Sequence, residues 1–411
     1  MTDSRQTAFE VLYKIFYDKA YSNIALDSAL SKIDNSKAFV SRLVYGVVER
    51  KLTLDYLISQ HCNKPKPKLL TILRMGVYQL YFMDSVPSSA AINESVKLAK
   101  NNGMQFYSSM VNAVLHKIDN NRIDFDSLDD LSLKYSIPQN LIRMWQKAYG
   151  NERTETFLPA FNEPAPIFIV PNSALIDIDS LSVALTKENI CFERDGDLLK
   201  IKSSGDITAT NAFKCGLFYI QDKSCYEAVK ALGIKKGESV IDVCAAPGGK
   251  SFTAAQFTGK NGKILSCDIY EQRVGLIKNS ANRLDLNNVH TLVNNAAEYN
   301  SNIEKADKII CDVPCSGFGI IRRKPEIRYK ELDTVKELPD IQYSILKTSS
   351  EYLNKGGRIL YSTCTLNKRE NEKVVEKFIN ENSDFRIVES RTIFPEISGG
   401  DGFFYSVIER N

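Results

Sequence analysis

From Leu217 onward the chain alternates short apolar runs with amphipathic stretches, and this alternation constrains the fold more than any other feature. Runs near 239–243, 264–267, 290–293, 308–312 and 357–362 read as strands. The stretches near 222–232, 250–258, 271–284, 340–354 and 368–380 read as helices. Strands that alternate with helices in this way build a doubly wound parallel sheet, an α/β fold that binds ligands at the carboxyl ends of its strands. The run Gly402 to Ile408 adds a final strand.

Three of those strand ends carry chemistry. The first opens into Cys244-Ala245-Ala246-Pro247-Gly248-Gly249-Lys250. The run ending at Cys311 leads into Asp312-Val313-Pro314-Cys315-Ser316, and the run ending at Leu360 into Ser362-Thr363-Cys364-Thr365. Neighbouring strand ends would set two thiols beside one ligand loop, an arrangement suited to covalent chemistry on a bound substrate. Free cysteines are usually small buried hydrophobes. That reading serves Cys191, Cys215, Cys225, Cys267 and Cys311, but not the matched pair Cys315 and Cys364.

The glycine-rich loop is not a triphosphate loop. The Gly249-Lys250-Ser251 triplet would need a glycine five residues before Gly249, and Cys244 stands there. A nucleoside cofactor fits better. Small residues let a ligand approach the backbone, and the following helix offers unpaired N–H groups. About twenty residues on, a second strand ends in Asp268, whose carboxylate can accept bonds from both ribose hydroxyls.

The chain of 411 residues is long enough for two or three domains. Residues 1–122 read as an all-helical domain. Ala8, Val11, Leu12 and Ile15 share one helical face, as do Tyr107, Met110, Val111, Val114, Leu115 and Ile118. Further periodic stretches run from 39 to 58 and from 69 to 82. Residues 123–206 read as a small α/β connecting module, with a strand at 166–171 and a hairpin turning at Asp195-Gly196. Residues 207–411, which hold the alternating strands and helices, read as the third domain. No apolar run is long enough to span a membrane, and the polar start is no secretory signal. Nine scattered cysteines, an odd number, fit a reducing cytoplasm better than a disulfide framework. Three histidines, none at zinc-like spacing from a cysteine pair, give no expectation of a metal.

The loop at 244–250, Asp-Val-Pro-Cys-Ser-Gly at 312–317 and Ser-Thr-Cys-Thr at 362–365 together resemble the RNA cytosine-5 methyltransferases that use S-adenosylmethionine. The run Ile320 to Glu326 and the terminal Asp401 to Tyr405 are similar to one branch, the RsmB (Sun) 16S rRNA methyltransferases. That branch carries a helical N-terminal domain similar to NusB, and residues 91–100 and 107–115 fit it. The resemblance implies a class I, Rossmann-like methyltransferase domain. It implies that Cys244, Ala245, Ala246, Pro247, Gly248, Gly249, Lys250, Asp268, Asn295 and Asp312 hold S-adenosylmethionine. Cys364 would be the nucleophile, Cys315 would assist release, and Asp312 would sit between cofactor and base. Where the family usually has an aspartate near the adenine, this chain has Asn295, which accepts a hydrogen bond but brings no charge.

The chemistry explains these residue types. Carbon 5 of cytosine is a poor nucleophile. Adding a thiolate at C6 makes the ring an enamine, and C5 can then take a methyl group. Afterwards the C5 proton must leave with the help of a second group. Arg322, Arg323, Lys324 and Arg328 lie just past Cys315 and suit phosphates, and Lys64, Lys66, Lys68 and Arg74 form a second basic cluster. The expected partner is 16S rRNA, free or in an assembling small subunit, met by a monomer. Two rival readings stay open: the same enzyme acting on tRNA, and a non-catalytic NusB-like RNA-binding or transcription factor.

Overall fold

The computed structural model describes residues 4–33, 36–203 and 205–411. They form two compact units: Met1–Glu163 together with Ile321–Leu332, and Pro164–Ile320 together with Asp333–Asn411.

The first unit is helical. Its elements are α1 (Ser4–Tyr17), α2 (Ser22–Leu30), α3 (Lys37–Glu49), α4 (Lys51–Ser59), α5 (Pro67–Phe82), α6 (Ser88–Asn101), α7 (Ser108–Asn120), α8 (Leu131–Tyr135), α9 (Gln139–Tyr149) and α10 (Asn151–Phe157). The expected faces are the buried ones: Ala8, Val11, Leu12 and Ile15 in α1, and Val111, Val114, Leu115 and Ile118 in α7. Proline sets two entries. Pro67 opens α5 at a position whose missing N–H costs no helical bond, and Pro87 precedes α6. The periodic stretch from 39 to 58 is two helices, broken at Arg50.

Two expectations need correction here. Residues 123–206 are not a module of their own. Their helices α8 to α10 belong with the helical unit, and their strands with the second unit. The second correction concerns Arg328. The segment 321–332 leaves the sheet-bearing unit in sequence but belongs to the helical one. Arg328 is fully buried there. Its guanidinium donates to the carbonyl oxygens of Glu49 at 3.0 Å, and of Ser136, Phe161 and Ile321 at 3.3 Å each. Arginine suits this position because its planar fork carries five donors and stays charged. A guanidinium spent on backbone carbonyls is not available to phosphates. Ser22 on α2 donates its hydroxyl to Glu326 at 2.7 Å, and Tyr329 donates to Val48 O at 2.7 Å, so the excursion is tied at three points.

The second unit holds two sheets. β1 (Ile167–Pro171), β2 (Cys191–Asp195), β3 (Leu198–Ser203) and β4 (Phe218–Ile220) pair antiparallel in the order β2-β3-β1-β4, with α11 (Ile178–Lys187) and α12 (Asn211–Lys214) beside them in sequence. Then come α13 (Lys223–Ala231), β5 (Ser239–Asp242), α14 (Gly249–Thr258), β6 (Lys263–Asp268), α15 (Glu271–Arg283), β7 (Val289–Val293), β8 (Ala306–Asp312), α16 (Leu338–Glu351), β9 (Leu353–Thr363), α17 (Glu372–Glu381), β10 (Phe385–Ile393), α18 (Pro395–Ser398) and β11 (Phe403–Arg410). The seven-stranded sheet runs β10-β11-β9-β8-β5-β6-β7. β7, β6, β5, β8 and β9 are parallel, as the alternation requires. β11 is antiparallel to both its neighbours. β10 had no clear signal in the sequence. It is a largely exposed edge strand, so it lacks the apolar alternation that marks a half-buried one. Among the described residues no helix is long and apolar enough to cross a membrane.

Replacing Arg328 by Met should therefore destabilise the helical unit by about 3 kcal/mol, because four carbonyls lose their buried donor. Trp145, the single tryptophan and fully buried in this unit, reports the transition in urea. A loss below about 0.5 kcal/mol, the range of ordinary surface substitutions, would refute the role.

Candidate active site

The parallel register places four loops at one edge of the sheet. Asp242 pairs with Ser266 and Ile310, and Asp312 pairs with Ser362. The loops that follow β5, β6, β8 and β9 therefore leave the sheet side by side. Val313 N donates to Ser362 O at 3.1 Å, which extends the β8–β9 ladder toward the cysteines. β11 locks the other side, with Phe404 opposite Thr363, the residue before Cys364.

The two thiols meet. Cys315 Sγ lies 3.2 Å from Cys364 Sγ. The loops are held at a backbone contact: Gly319 N donates to Cys364 O at 3.0 Å, and Gly402 N donates to Gly319 O at 2.9 Å. A Cβ on Gly319 would stand 1.9 Å from Gly402 O, so only glycine permits this approach. The thiol of Cys315 is held well above its ordinary range, first by the hydrogen bond to Cys364, then by burial and by the charges of Glu370 and Asp312. Cys315 therefore holds its proton at neutral pH, and either sulfur can donate in the contact.

Beside them stands an ion pair. Lys250, at the start of α14, donates to Asp312 Oδ2 at 2.7 Å, and Ser362 donates its hydroxyl to Asp312 Oδ1 at 2.8 Å. Burial opposes the charge on Lys250, but Asp312, Cys225 and Asp242 outweigh it and raise the ammonium above its usual range. The same ammonium lies 5.3 Å from the centre of the Phe403 ring, a cation–π distance.

The 244–250 loop is built as a cradle. Ala245 N donates to Cys267 O at 2.7 Å, tying the loop to the end of β6. Gly248 has φ +112, and a Cβ there would meet the Phe252 ring at 2.3 Å. Asp268 ends β6 with 2% exposure, and its carboxylate accepts only long bonds, from Ala246 N at 3.4 Å and Tyr270 N at 3.3 Å. Arg273 approaches it at 3.3 Å from the surface. Asn295 is spent locally: its oxygen accepts from Ala297 N at 3.1 Å and its amide donates to Glu298 at 2.7 Å.

The basic residues expected to meet RNA belong to the helical unit. Arg322, Arg323 and Lys324 lie in the 321–332 segment of the helical unit, the first two half-buried and Lys324 exposed. In the other basic cluster Lys64, Lys66 and Lys68 are exposed, but Arg74 is buried and bound to Asp55 at 2.6 and 2.8 Å. Arg74 is structural, a correction with the same cause as Arg328.

Three participants escaped the sequence reading. Cys225, on α13, lies 3.4 Å from Lys250 Nζ, and burial pushes its thiol up to about 12. Gln221, just before α13, accepts from Thr253 at 2.6 Å. Asp242 is fully buried under the loop and accepts from Ser251 at 2.7 Å. Its other oxygen has no hydrogen-bond partner. None of these carried a local signal, because each acts across the tertiary structure.

Comparison with known proteins fixes the family. The model described as 16S rRNA methyltransferase RsmB/F matches residues 229–409, and the NusB family model matches residues 2–120. A Bacillus subtilis protein named probable ribosomal RNA small subunit methyltransferase B is 36% identical over 98% of both chains. This chain belongs to the RsmB/F family of 16S rRNA methyltransferases. A relative of the same name from Synechocystis is 32% identical, covering 94% of this chain and 91% of its own. Among solved structures, that of PH0851 superposes with a TM-score of 0.83 at 25% identity, covering 100% and 99% of the two chains. A methyltransferase homolog from Pyrococcus horikoshii gives a TM-score of 0.62 at 27% identity, over 69% of this chain and 98% of that one. The seven-stranded sheet is thus the class I methyltransferase domain, and the N-terminal helices are the NusB-like domain.

Burial raises the Asp242 carboxyl to about 7, and the neighbouring Asp312 adds to this. The folded state therefore binds this proton more tightly than the unfolded chain, whose carboxyl titrates near the ordinary value of about 4. The stability it contributes is complete below about pH 4 and is lost as pH rises through 7. Asp242→Asn should gain on the parent by on the order of 2–3 kcal/mol between pH 5 and pH 8 in urea titrations. Parallel stability profiles for the two proteins would show that Asp242 does not titrate in this way.

Proposed function

We propose that this chain transfers a methyl group from S-adenosylmethionine to C5 of a cytosine in 16S rRNA, through a covalent bond from Cys364 to C6. The observation that carries the reading is the 3.2 Å contact between two thiols on adjacent strand-end loops, with the Asp312–Lys250 pair beside them. One buried thiol would be unremarked, but two in contact, one kept protonated, are a nucleophile with an acid–base partner.

The residues fit the cofactor. Cys244 to Lys250 form a glycine cradle at a helix N-terminus, whose first N–H groups lack intrahelical partners. Asp268 keeps acceptor capacity for ribose hydroxyls, because the bonds it now accepts are long and the Arg273 beside it reaches in from the surface. Asn295 is the weak point, since both ends of its amide are already bonded. When bound, S-adenosylmethionine supplies the electrophilic methyl.

The chain's own residues do the rest. Cys364 adds to C6 as its thiol proton passes to N3 of the base, the C5–C6 double bond opens, and C5 becomes the nucleophilic carbon of an enamine. Asp312, held by Lys250 and Ser362, accepts a hydrogen bond from the exocyclic amine of the base and stabilises the proton on its N3 edge. Cys315 then releases its own proton to solvent and, as the thiolate, takes the proton from C5; the C5–H electron pair re-forms the double bond, the C6–sulfur bond breaks, and the N3 proton returns to the departing Cys364 sulfur. Enzymes that modify a base take it out of the stack, so the target lies in a loop or unpaired end. The family description favours 16S rRNA over tRNA as substrate.

The two cysteines should fail differently. Cys364→Ala should abolish both methylation and any RNA adduct that survives denaturing electrophoresis. Cys315→Ala should still attack and take up the methyl, then stall, so that the adduct accumulates. Methylation retained in both single variants, with no adduct in either, would end the covalent reading.

The helical unit supplies affinity in this reading. Lys64, Lys66 and Lys68 form its exposed basic patch, with Lys66 standing 5.5 Å from the Tyr107 ring. Changing all three to Ala should flatten the slope of log affinity against log salt by about 2–3, the amount expected for three lost phosphate contacts. Filter binding at several salt concentrations measures it, and an unchanged slope would place the RNA elsewhere.

A further inference from the structure

Glu370 lies six residues after Cys364, in the turn before α17, and is completely buried. Its carboxylate accepts four hydrogen bonds. Oε2 takes the Ser316 N–H at 2.8 Å and Gln342 Nε2 at 3.0 Å. Oε1 takes the Ser316 hydroxyl at 2.6 Å and Asn367 Nδ2 at 2.8 Å. All four donors are neutral. A buried carboxylate is costly to keep without a cation, and a simple loop staple could be made from an amide at lower cost.

The two donors from Ser316 explain why a carboxylate stands here. Ser316 follows Cys315 directly, and both its N–H and its hydroxyl end on Glu370. Thr365 follows Cys364 directly, and its hydroxyl lies 2.7 Å from that of Ser316. Ser316 gives its only hydroxyl proton to Glu370, so Thr365 must donate to Ser316. A proton-ordered chain therefore runs from the nucleophile's loop, through Ser316, to the carboxylate. Gln342 also donates to Pro314 O at 2.9 Å, so the residues on both sides of Cys315 are pinned by one network.

We propose that Glu370 is a positioning residue of the reaction, acting through Ser316 to hold Cys315 against Cys364 for removal of the C5 proton and release of the product. The proposal rests on the covalent reading above. The Glu370 charge also adds, behind the hydrogen bond to Cys364 and burial, to the forces that keep Cys315 protonated. An amide cannot replace it cleanly: a glutamine nitrogen would face N–H donors where an oxygen now accepts.

Two readouts on the full-length protein test it. With a 16S rRNA transcript and labelled S-adenosylmethionine, Glu370→Gln should still transfer the methyl but raise the fraction of denaturation-stable adduct about tenfold, less than the roughly 10²–10⁴-fold of a lost acid–base group because Cys315 itself remains. Cofactor affinity by calorimetry should stay within about twofold, and adding Glu370→Gln to Cys315→Ala should have no further effect on the adduct, because the residue it acts through is already gone. Independently of turnover, the pH midpoint for iodoacetamide labelling of Cys315, followed by peptide mass spectrometry, should fall by about one unit on loss of the nearby charge. Should Glu370→Gln fail to fold, Ser316→Ala should shift both readouts the same way. An unchanged adduct fraction with an unchanged labelling profile would overturn the proposal. So would a parallel loss of methylation and cofactor affinity, which marks a residue that serves the fold alone. If Cys364→Ala and Cys315→Ala both retain methylation with no adduct, the covalent reading fails, and the labelling profile alone decides the case of Glu370.

Discussion

The site depends on the parallel pairing of β8 with β9. Residues 312 and 362 lie opposite each other in that ladder, so chains leaving the two strands enter one space. Cys315 and Cys364, 49 residues apart in sequence, thereby come within 3.2 Å. A shift of one residue in register would turn the side chains of one strand to the opposite face and separate the ligands of Asp312. β11, antiparallel on the far side of β9, adds a second row of hydrogen bonds that fixes where the strand ends.

Around that pairing the charges are arranged by burial as much as by attraction. Lys250 and Asp312 satisfy each other in a partly enclosed place, where a lone charge of either sign would be costly. Asp242, fully buried with one oxygen unpaired, moves toward its neutral form instead. The two aspartates thus serve different ends at neighbouring strand termini. Asp312 has a cation and stays available to a substrate. Asp242 accepts from the Ser251 hydroxyl and supports the loop above it.

The segment 321–332 shows how one stretch can carry a motif and mislead about its use. Its arginines and lysine follow directly on the Cys315 loop, and basic residues beside a catalytic loop suggest phosphate contacts. Arg328 instead closes a set of backbone carbonyls inside the helical unit, and Glu326 and Tyr329 bind there too. The same holds for Arg74 with Asp55. A basic residue reads as an RNA ligand only while its side chain is at the surface, and sequence proximity does not say whether it is.

What the sequence determined by itself was everything set by local periodicity and by short contiguous motifs. The five parallel strands and their helices followed from apolar runs of the right length, and the glycine cradle from its own seven residues. The pairing of Cys315 with Cys364 was legible because each ends a strand, and strand ends of one sheet share an edge. The edge strand β10 was not legible, since it buries too little to show alternation. Nor was the division of residues 123–206 between two units, because helices and strands adjacent in sequence sorted to different cores. Glu370, Cys225 and Asp242 gained their roles only from tertiary structure. Each is a single polar residue whose partners lie on other elements, and a hydrogen bond or a burial made at long range leaves no mark in the residues next to it.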